Sequence, residues 1–237
     1  MGATAGLALI STVAGGLSLV GRRAIGHGSP KGQLADAWAA GVFLGLGFLH
    51  MLPEAVHAFV VAGGNGRLIF LVAGLTLLLL LILGRVGGTG NARFHAIIVT
   101  AVLVLHMFLT GFALAAENAP GVIVMVFVAL AIHKAVEAFA FGRLLARSPL
   151  DSWLAGLLLM VFVSALPAGV FTALTVARSM ASAPAAIPMI LAIGAGTFLH
   201  FGLNHSHLLG SDNGWQALGA RIAGFLLMGG LALFASS

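Results

Sequence analysis

Residues 104–111, VLHMFLTG, and 131–142, AIHKAVEAFAFG, each set ionisable side chains in the middle of a run that is otherwise apolar. Ionisable groups at bilayer depth are costly and rare; they face a cavity or a partner and mark ion pathways. His133 and Glu137 are four apart, so on a helix they lie one above the other on the same face. An imidazole stacked over a carboxylate is half of a divalent-metal site, and His106 in the preceding run supplies a further ligand. The two segments together predict a chain that carries a metal ion through a membrane.

Composition supports the membrane half of that reading. The chain is 60% hydrophobic and 7% charged, with a mean hydropathy of +1.13. A soluble domain averages about 25% charged residues, so the class is an all-α polytopic membrane protein. The net charge of +5 does not form a dense basic patch: the basic residues stand singly between apolar segments, and nucleic acid is excluded as a partner. The absence of cysteine removes thiolate metal sites, iron–sulfur clusters and disulfides. Histidine, carboxylate and hydroxyl ligands remain, a set suited to Zn, Fe, Mn or similar divalent ions rather than Cu(I). Met1 to Val20 holds no lysine or arginine, and Arg22 and Arg23 follow it. A secretory signal has the opposite order, so the expectation is a retained first span with its N-terminus outside.

A span of the hydrocarbon core takes roughly 20 residues. Apolar stretches punctuated by glycine, proline and charge give eight segments near 3–21, 33–61, 66–84, 94–116, 121–146, 152–177, 185–208 and 216–235. The second and fifth are long for a simple span and imply tilt or extension beyond the bilayer. Arg22, Arg23 and Lys31 are assigned to the first loop, Arg85 and Arg93 to the third, Arg143 and Arg147 to the fifth. The even loops carry only Arg67 and Arg178. The positive-inside rule then puts both termini outside the cytoplasm. Phe48-Leu49-His50 in the second segment is echoed by Phe198-Leu199-His200 in the seventh, and VAGGLSLVGR in the first by PAGVFTALTVAR in the sixth. Because those segments run in opposite directions, the echo fits an inverted repeat: three helices, a central pair, three helices, within one transmembrane domain spanning 1–237.

Depth brings the central pair together. His106 and His133 each lie about 12 residues into their segments, roughly 18 Å along a helix and near the midplane. Thr110 is one turn outward from His106 and Glu137 one turn inward from His133. Lys134 points about 100° away from His133 and is read as a fixed cation beside the site, paired with a carboxylate and disfavouring a second metal. In HMLPEAVH, His50 and Glu54, with His57, have helical spacing in the outer half and form a candidate entrance; the plainer reading is a polar helix end. His200, Asn204 and His205, with His207, form a candidate exit in the inner half, with a polar terminus as the alternative. Glu117 and Asn118 are read as a solvated cap.

The chain resembles the ZIP (Zrt/Irt-like) divalent-metal transporters over nearly its whole length. AGVFLGLGFLHMLPEA is similar to that family's second helix with its H-x-x-P-[DE] motif. HMFLTGFALA and HKAVEAFAFG are similar to its paired H-x-x-x-E-G and H-x-x-x-E helices. LPAGV around Pro167 and Gly169, and AGTFLH at 195–200, are similar to its sixth and seventh. The resemblance implies eight helices in a 3+2+3 arrangement with both termini outside, and metal bound between helices four and five by His106, His133 and Glu137. It implies an elevator in which helices one, four, five and six move against two, three, seven and eight, and it maps His50 and Glu54 to the outer motif. Thr110 stands where the family has a glutamate, leaving a weak hydroxyl donor. Met107 and Lys134 stand where some members hold a second metal, and Asn204 or His205 where members often have a carboxylate. The loop after the third helix is reduced to GRVGGTGNAR.

The sequence thus predicts a carrier, not an enzyme, moving a divalent ion toward the cytoplasm. Zn²⁺ is the first candidate, with Fe²⁺, Mn²⁺ and Cd²⁺ as rivals. Its partners are the lipid bilayer and the metal ion, a homodimer is an allowed assembly, and the location is a plasma membrane or bacterial inner membrane. Binding needs neutral imidazoles and is expected to weaken in acid. No G-x-x-x-x-G-K-[ST] run is present, which argues against pumping by ATP in this chain. Two other classes stay open: a non-transporting metal sensor or degenerate homologue, kept alive by Thr110, and a membrane haem protein with His106 and His133 as axial ligands.

Overall fold

Each apolar run becomes a helix. The computed structural model describes residues 2–24, 29–86, 92–116, 123–176, 186–204 and 214–235, and among these there is no strand. The helices are α1 (Gly2–Ala24), α2 (Pro30–Val61), α3 (Arg67–Val86), α4 (Ala92–Ala116), α5 (Ile123–Arg147), α6 (Ser152–Val176), α7 (Ala186–Asn204) and α8 (Gly214–Ala235). By length and composition α2, α6 and α8 suffice to cross a membrane, and α1, α3, α4 and α7 carry shorter apolar stretches. Basic residues assigned to loops from sequence lie in the end turns of helices instead: Arg85 in α3, Arg93 in α4, Arg143 and Arg147 in α5. Long aliphatic stems let arginine stay in a helix while its head reaches a polar partner. Glu117, Asn118, His205 and His207 lie outside the described residues, as do the side chains of His133 and Asn204.

The local chemistry of α2 explains its length and its irregularity. Ser29 caps it, accepting from the Gly32 N–H at 3.1 Å, and Pro30 occupies a first-turn position where its missing N–H is harmless. Pro53, by contrast, falls inside the helix and offers no donor to the Leu49 carbonyl four residues back. Over Leu46–Met51 the chain widens into a π-helical turn, with the Leu52 N–H bonding to the Gly47 carbonyl five residues back. Single π-turns collect at functional sites because they re-aim a side chain; this one carries His50. At the far end, Gly63 adopts φ +83°, Gly64 N–H bonds to Phe59 O at 2.8 Å and Gly63 N–H to Val60 O at 2.9 Å. That is a Schellman stop, whose left-handed residue favours glycine.

Packing divides the helices into two groups. α1 lies against α5 and α6, and α4 against α6; α2 lies against α8 and α7, and α3 against α7. Between the groups, α5 touches α2 and α8, and α4 touches α7. The α4–α6 crossing is a backbone approach: a Cβ on Gly111 would overlap the Leu166 backbone, and one on Gly169 the Phe108 backbone. Small residues allow such approaches where no water is available to drive helices together. Aromatic rings fill the core, with Phe43 of α2 stacked on Phe198 of α7 within one group at 5.7 Å between ring centroids and Trp38 of α2 edge-on to Phe139 of α5 across the boundary at 5.5 Å.

Candidate metal centre

The polar side chains singled out in α4 and α5 meet in the interior. His106 and Glu137 are 3% and 0% exposed, with His106 Nε2 3.8 Å from Glu137 Oε1. One ion with bonds of about 2.0–2.2 Å can bridge that separation. Glycines at the α4–α6 crossing hold α4 at the depth and rotation that turn His106 inward. Across the group boundary, the His50 ring stands edge-on to His106 at 6.2 Å, brought there by the π-turn of α2. His50 Nε2 is 3.7 Å from Glu54 Oε2, and this pair is more open, at 30% and 47% exposure. Phe198 of α7 closes the other side of His106, edge-on at 5.8 Å. A polar line therefore runs from the half-exposed Glu54 through His50 to His106, and ends on stacked aromatic rings.

Lys134 sits within this cluster, not beside it. Its Nζ donates to Glu137 Oε2 at 2.7 Å and to Thr110 Oγ1 at 3.4 Å, and lies 3.4 Å from His106 Nε2. An ammonium has only donors, so a hydrogen bond at this contact requires Nε2 to be the unprotonated nitrogen. Nδ1 has no hydrogen-bond partner among the described residues. Thr110 completes the arrangement by donating its own proton to the His106 carbonyl at 2.9 Å, which leaves its lone pairs for Lys134. Sequence reasoning gave Lys134 a carboxylate partner, and Glu137 is that partner. What it missed was that Lys134, three residues before Glu137 and about 60° from it on the helical wheel, reaches the same carboxylate.

Among the described residues no group of three His, Cys, Asp or Glu side chains is gathered to hold a metal. His106 and Glu137 form a pair, with Thr110 reached through Lys134 and His50 one ring away. His200, on α7, is fully buried and edge-on to Phe201 at 5.4 Å. Sequence reasoning gave no place to Asp36 or Trp38 and noted Phe198 only in the repeat echo; Asp36 carried a visible signal as the one acid in the first half of α2.

The match to known families falls on the same region. Residues 84–232 match the family model described as ZIP Zinc transporter, a stretch that begins at the end of α3 and reaches into α8. It includes His106, Lys134 and Glu137 and leaves His50 and Glu54 outside. No curated protein matches the chain. With more than half of its length matched, and its buried imidazole and carboxylate within that match, the chain belongs to the ZIP zinc transporter family, whose members are integral membrane transporters of divalent metal ions.

Proposed function

We propose that this chain moves a divalent ion, Zn²⁺ first among candidates, toward the cytoplasm by alternating access. The observation that carries the reading is the His106–Glu137 pair, buried in the interior at 3.8 Å. An imidazole nitrogen and a carboxylate oxygen suit Zn²⁺ and similar borderline ions. His133, on the same helix face as Glu137, is the third ligand in this reading, and Thr110 a weak fourth. A hydrated ion enters past Glu54 and His50, sheds water onto His106, His133 and Glu137, and leaves toward His200, Asn204 and His205. The stacked Phe43 and Phe198 bar the way beyond His106 until the helix groups shift.

The packing supports an elevator in one 1–237 domain of eight spans. The neighbour pairs α1–α5, α3–α7 and α2–α5 turn into α6–α4, α8–α2 and α7–α4 when helices are exchanged as 3+2+3 inverted halves. The site lies where the two groups meet, as alternating access requires. With both termini outside, the basic end turns of α3, α4 and α5 face the cytoplasm.

Uptake of Zn²⁺, Fe²⁺, Mn²⁺ and Cd²⁺ into proteoliposomes tests this, comparing wild type with Glu137→Ala. Saturable uptake that the substitution abolishes is expected. Binding without uptake of any ion, in folded protein, would point to a sensor instead of a carrier.

A further inference from the structure

We propose that Lys134 sets the metal specificity of this site: its ammonium is a tethered cation that holds the donor cluster when metal is absent, and a divalent ion binds only by displacing it. The inference rests on the reading of His106 and Glu137 as ligands. An ammonium has three N–H donors, and three acceptors surround this one: Glu137 Oε2, His106 Nε2 and Thr110 Oγ1. Lys134 and Glu137 are both fully buried, so these protein atoms stand in for the hydration shell of the cation.

The same lone pairs serve a metal. A nitrogen that accepts from Lys134 has none left for an ion, so Lys134 and the metal exclude each other at His106 Nε2. Displacement sets a threshold that depends on the kind of ion. Mg²⁺ and Ca²⁺ bind through oxygen and gain little from imidazole; at this cluster they find one carboxylate, already neutralised by the ammonium. Zn²⁺ and its neighbours gain from the imidazole as well and exceed the threshold. A second divalent ion would add to the charge of both the first and Lys134, so the site takes one. The four-carbon stem of lysine lets the head swing aside and stay attached. Its return to the cluster then helps expel the ion on the far side and leaves the empty carrier charge-balanced.

Calorimetric titration of the purified protein in nanodiscs with Zn²⁺, Mg²⁺ and Ca²⁺ tests this with Lys134→Gln, Lys134→Arg and Glu137→Ala. Lys134→Gln is expected to bind Zn²⁺ at least tenfold more tightly and to gain measurable Mg²⁺ binding, while Lys134→Arg keeps the wild-type discrimination. Unchanged or weaker Zn²⁺ binding by folded Lys134→Gln, still blind to Mg²⁺, overturns the proposal. A measurement on the wild type guards against loss of folding in the variant. Lys31 and Lys134 are the only lysines in the chain, so ¹⁵N-lysine labelling gives two side-chain signals. The Lys134 signal is expected to move with Zn²⁺ along the binding isotherm while Lys31 stays; a Lys134 signal that stays fixed at saturating Zn²⁺ also overturns the proposal. Glu137→Ala separates the two readings. If it abolishes Zn²⁺ binding and Lys134→Gln changes nothing, only the role of Lys134 falls; if it binds as wild type, the ligand assignment falls too.

Discussion

Arg143 of α5 lies across the group boundary from Asp36 of α2, its Nη2 2.7 Å from Asp36 Oδ1 and its Nε donating to the same oxygen at 2.9 Å. Both side chains are almost wholly buried, at 8% and 5% exposure. Arg147 reaches the second carboxylate oxygen at 3.1 Å, and Arg143 also donates to the Gly32 carbonyl at 3.3 Å. One carboxylate thus satisfies two guanidinium groups and ties the first turns of α2 to the last turns of α5. Two guanidinium nitrogens converging on one carboxylate oxygen, with the Gly32 carbonyl also accepting from Nη2, offset the burial of the Arg143 charge.

Asp36→Ala leaves Arg143 buried without a counter-ion, a change that costs about 3–5 kcal/mol when a buried pair is broken from one side. The expected result is a fall of several degrees in the thermal unfolding midpoint of the detergent-solubilised protein. Arg147 is 37% exposed, and its removal is expected to cost less than about 1 kcal/mol. Equal losses from Asp36→Ala and Arg147→Ala would show that the buried Arg143 contact is not the anchor.

Gly169→Ala puts a Cβ against the Phe108 backbone, so α4 and α6 have to separate. Overpacking of this kind costs about 1–3 kcal/mol. Because His106 is two residues from Phe108 on α4, the shift also carries His106 away from Glu137, and Zn²⁺ binding is expected to weaken together with stability. Gly74 on α3 is the control, since a Cβ there meets nothing within 4 Å. Gly74→Ala should leave binding unchanged and stability equal or slightly higher. Parallel calorimetry and thermal unfolding of the two variants decide the point.

The helices were legible because each is an apolar run closed by Gly, Pro or charge, and the structure moves their ends by only a few residues. The π-turn was signalled by Pro53 but not its consequence, because a lost N–H can be absorbed by a kink, a break or a widened turn, and the neighbours decide which. Equal depth on consecutive antiparallel segments was read for His106 and His133, with Glu137 one turn inward; the structure sets Glu137 itself against His106. Lys134 resisted the same logic: the angle between it and His133 is plain from the sequence, but where a four-carbon stem ends depends on Thr110 and His106 of another helix. The Asp36–Arg143 pair was hidden by its separation of 107 residues, and Arg143 was counted among loop charges although it lies a turn inside α5.

Glu54 and His50 are the half-exposed end of the polar line, and their separation of 3.7 Å lets them share an arriving ion. Glu54→Gln removes the negative charge and keeps the shape. Charge at a mouth acts on encounter more than on the bound state, so the expected effect is a severalfold rise in the KM of uptake with kcat retained. A fall in kcat at unchanged KM, measured in proteoliposomes across a range of Zn²⁺, would place Glu54 in the conformational step and not at the entrance.

Thr110 and Lys134 form a coupled pair, because the hydroxyl oxygen at 110 is one of the three acceptors of the ammonium. A carboxylate introduced by Thr110→Glu falls within reach of Lys134 Nζ and is expected to pair with it, so the substitution alone tightens Zn²⁺ binding only modestly. In the Lys134→Gln background the same carboxylate has no ammonium to neutralise it and serves the metal directly. The gain from the double variant should therefore exceed the sum of the single gains by about 1–3 kcal/mol, the range found for residues sharing a network. Calorimetric Kd values for the four proteins close the cycle. Additivity within about 0.5 kcal/mol would mean that Lys134 and position 110 act independently, and that the hydroxyl is a bystander to the ammonium.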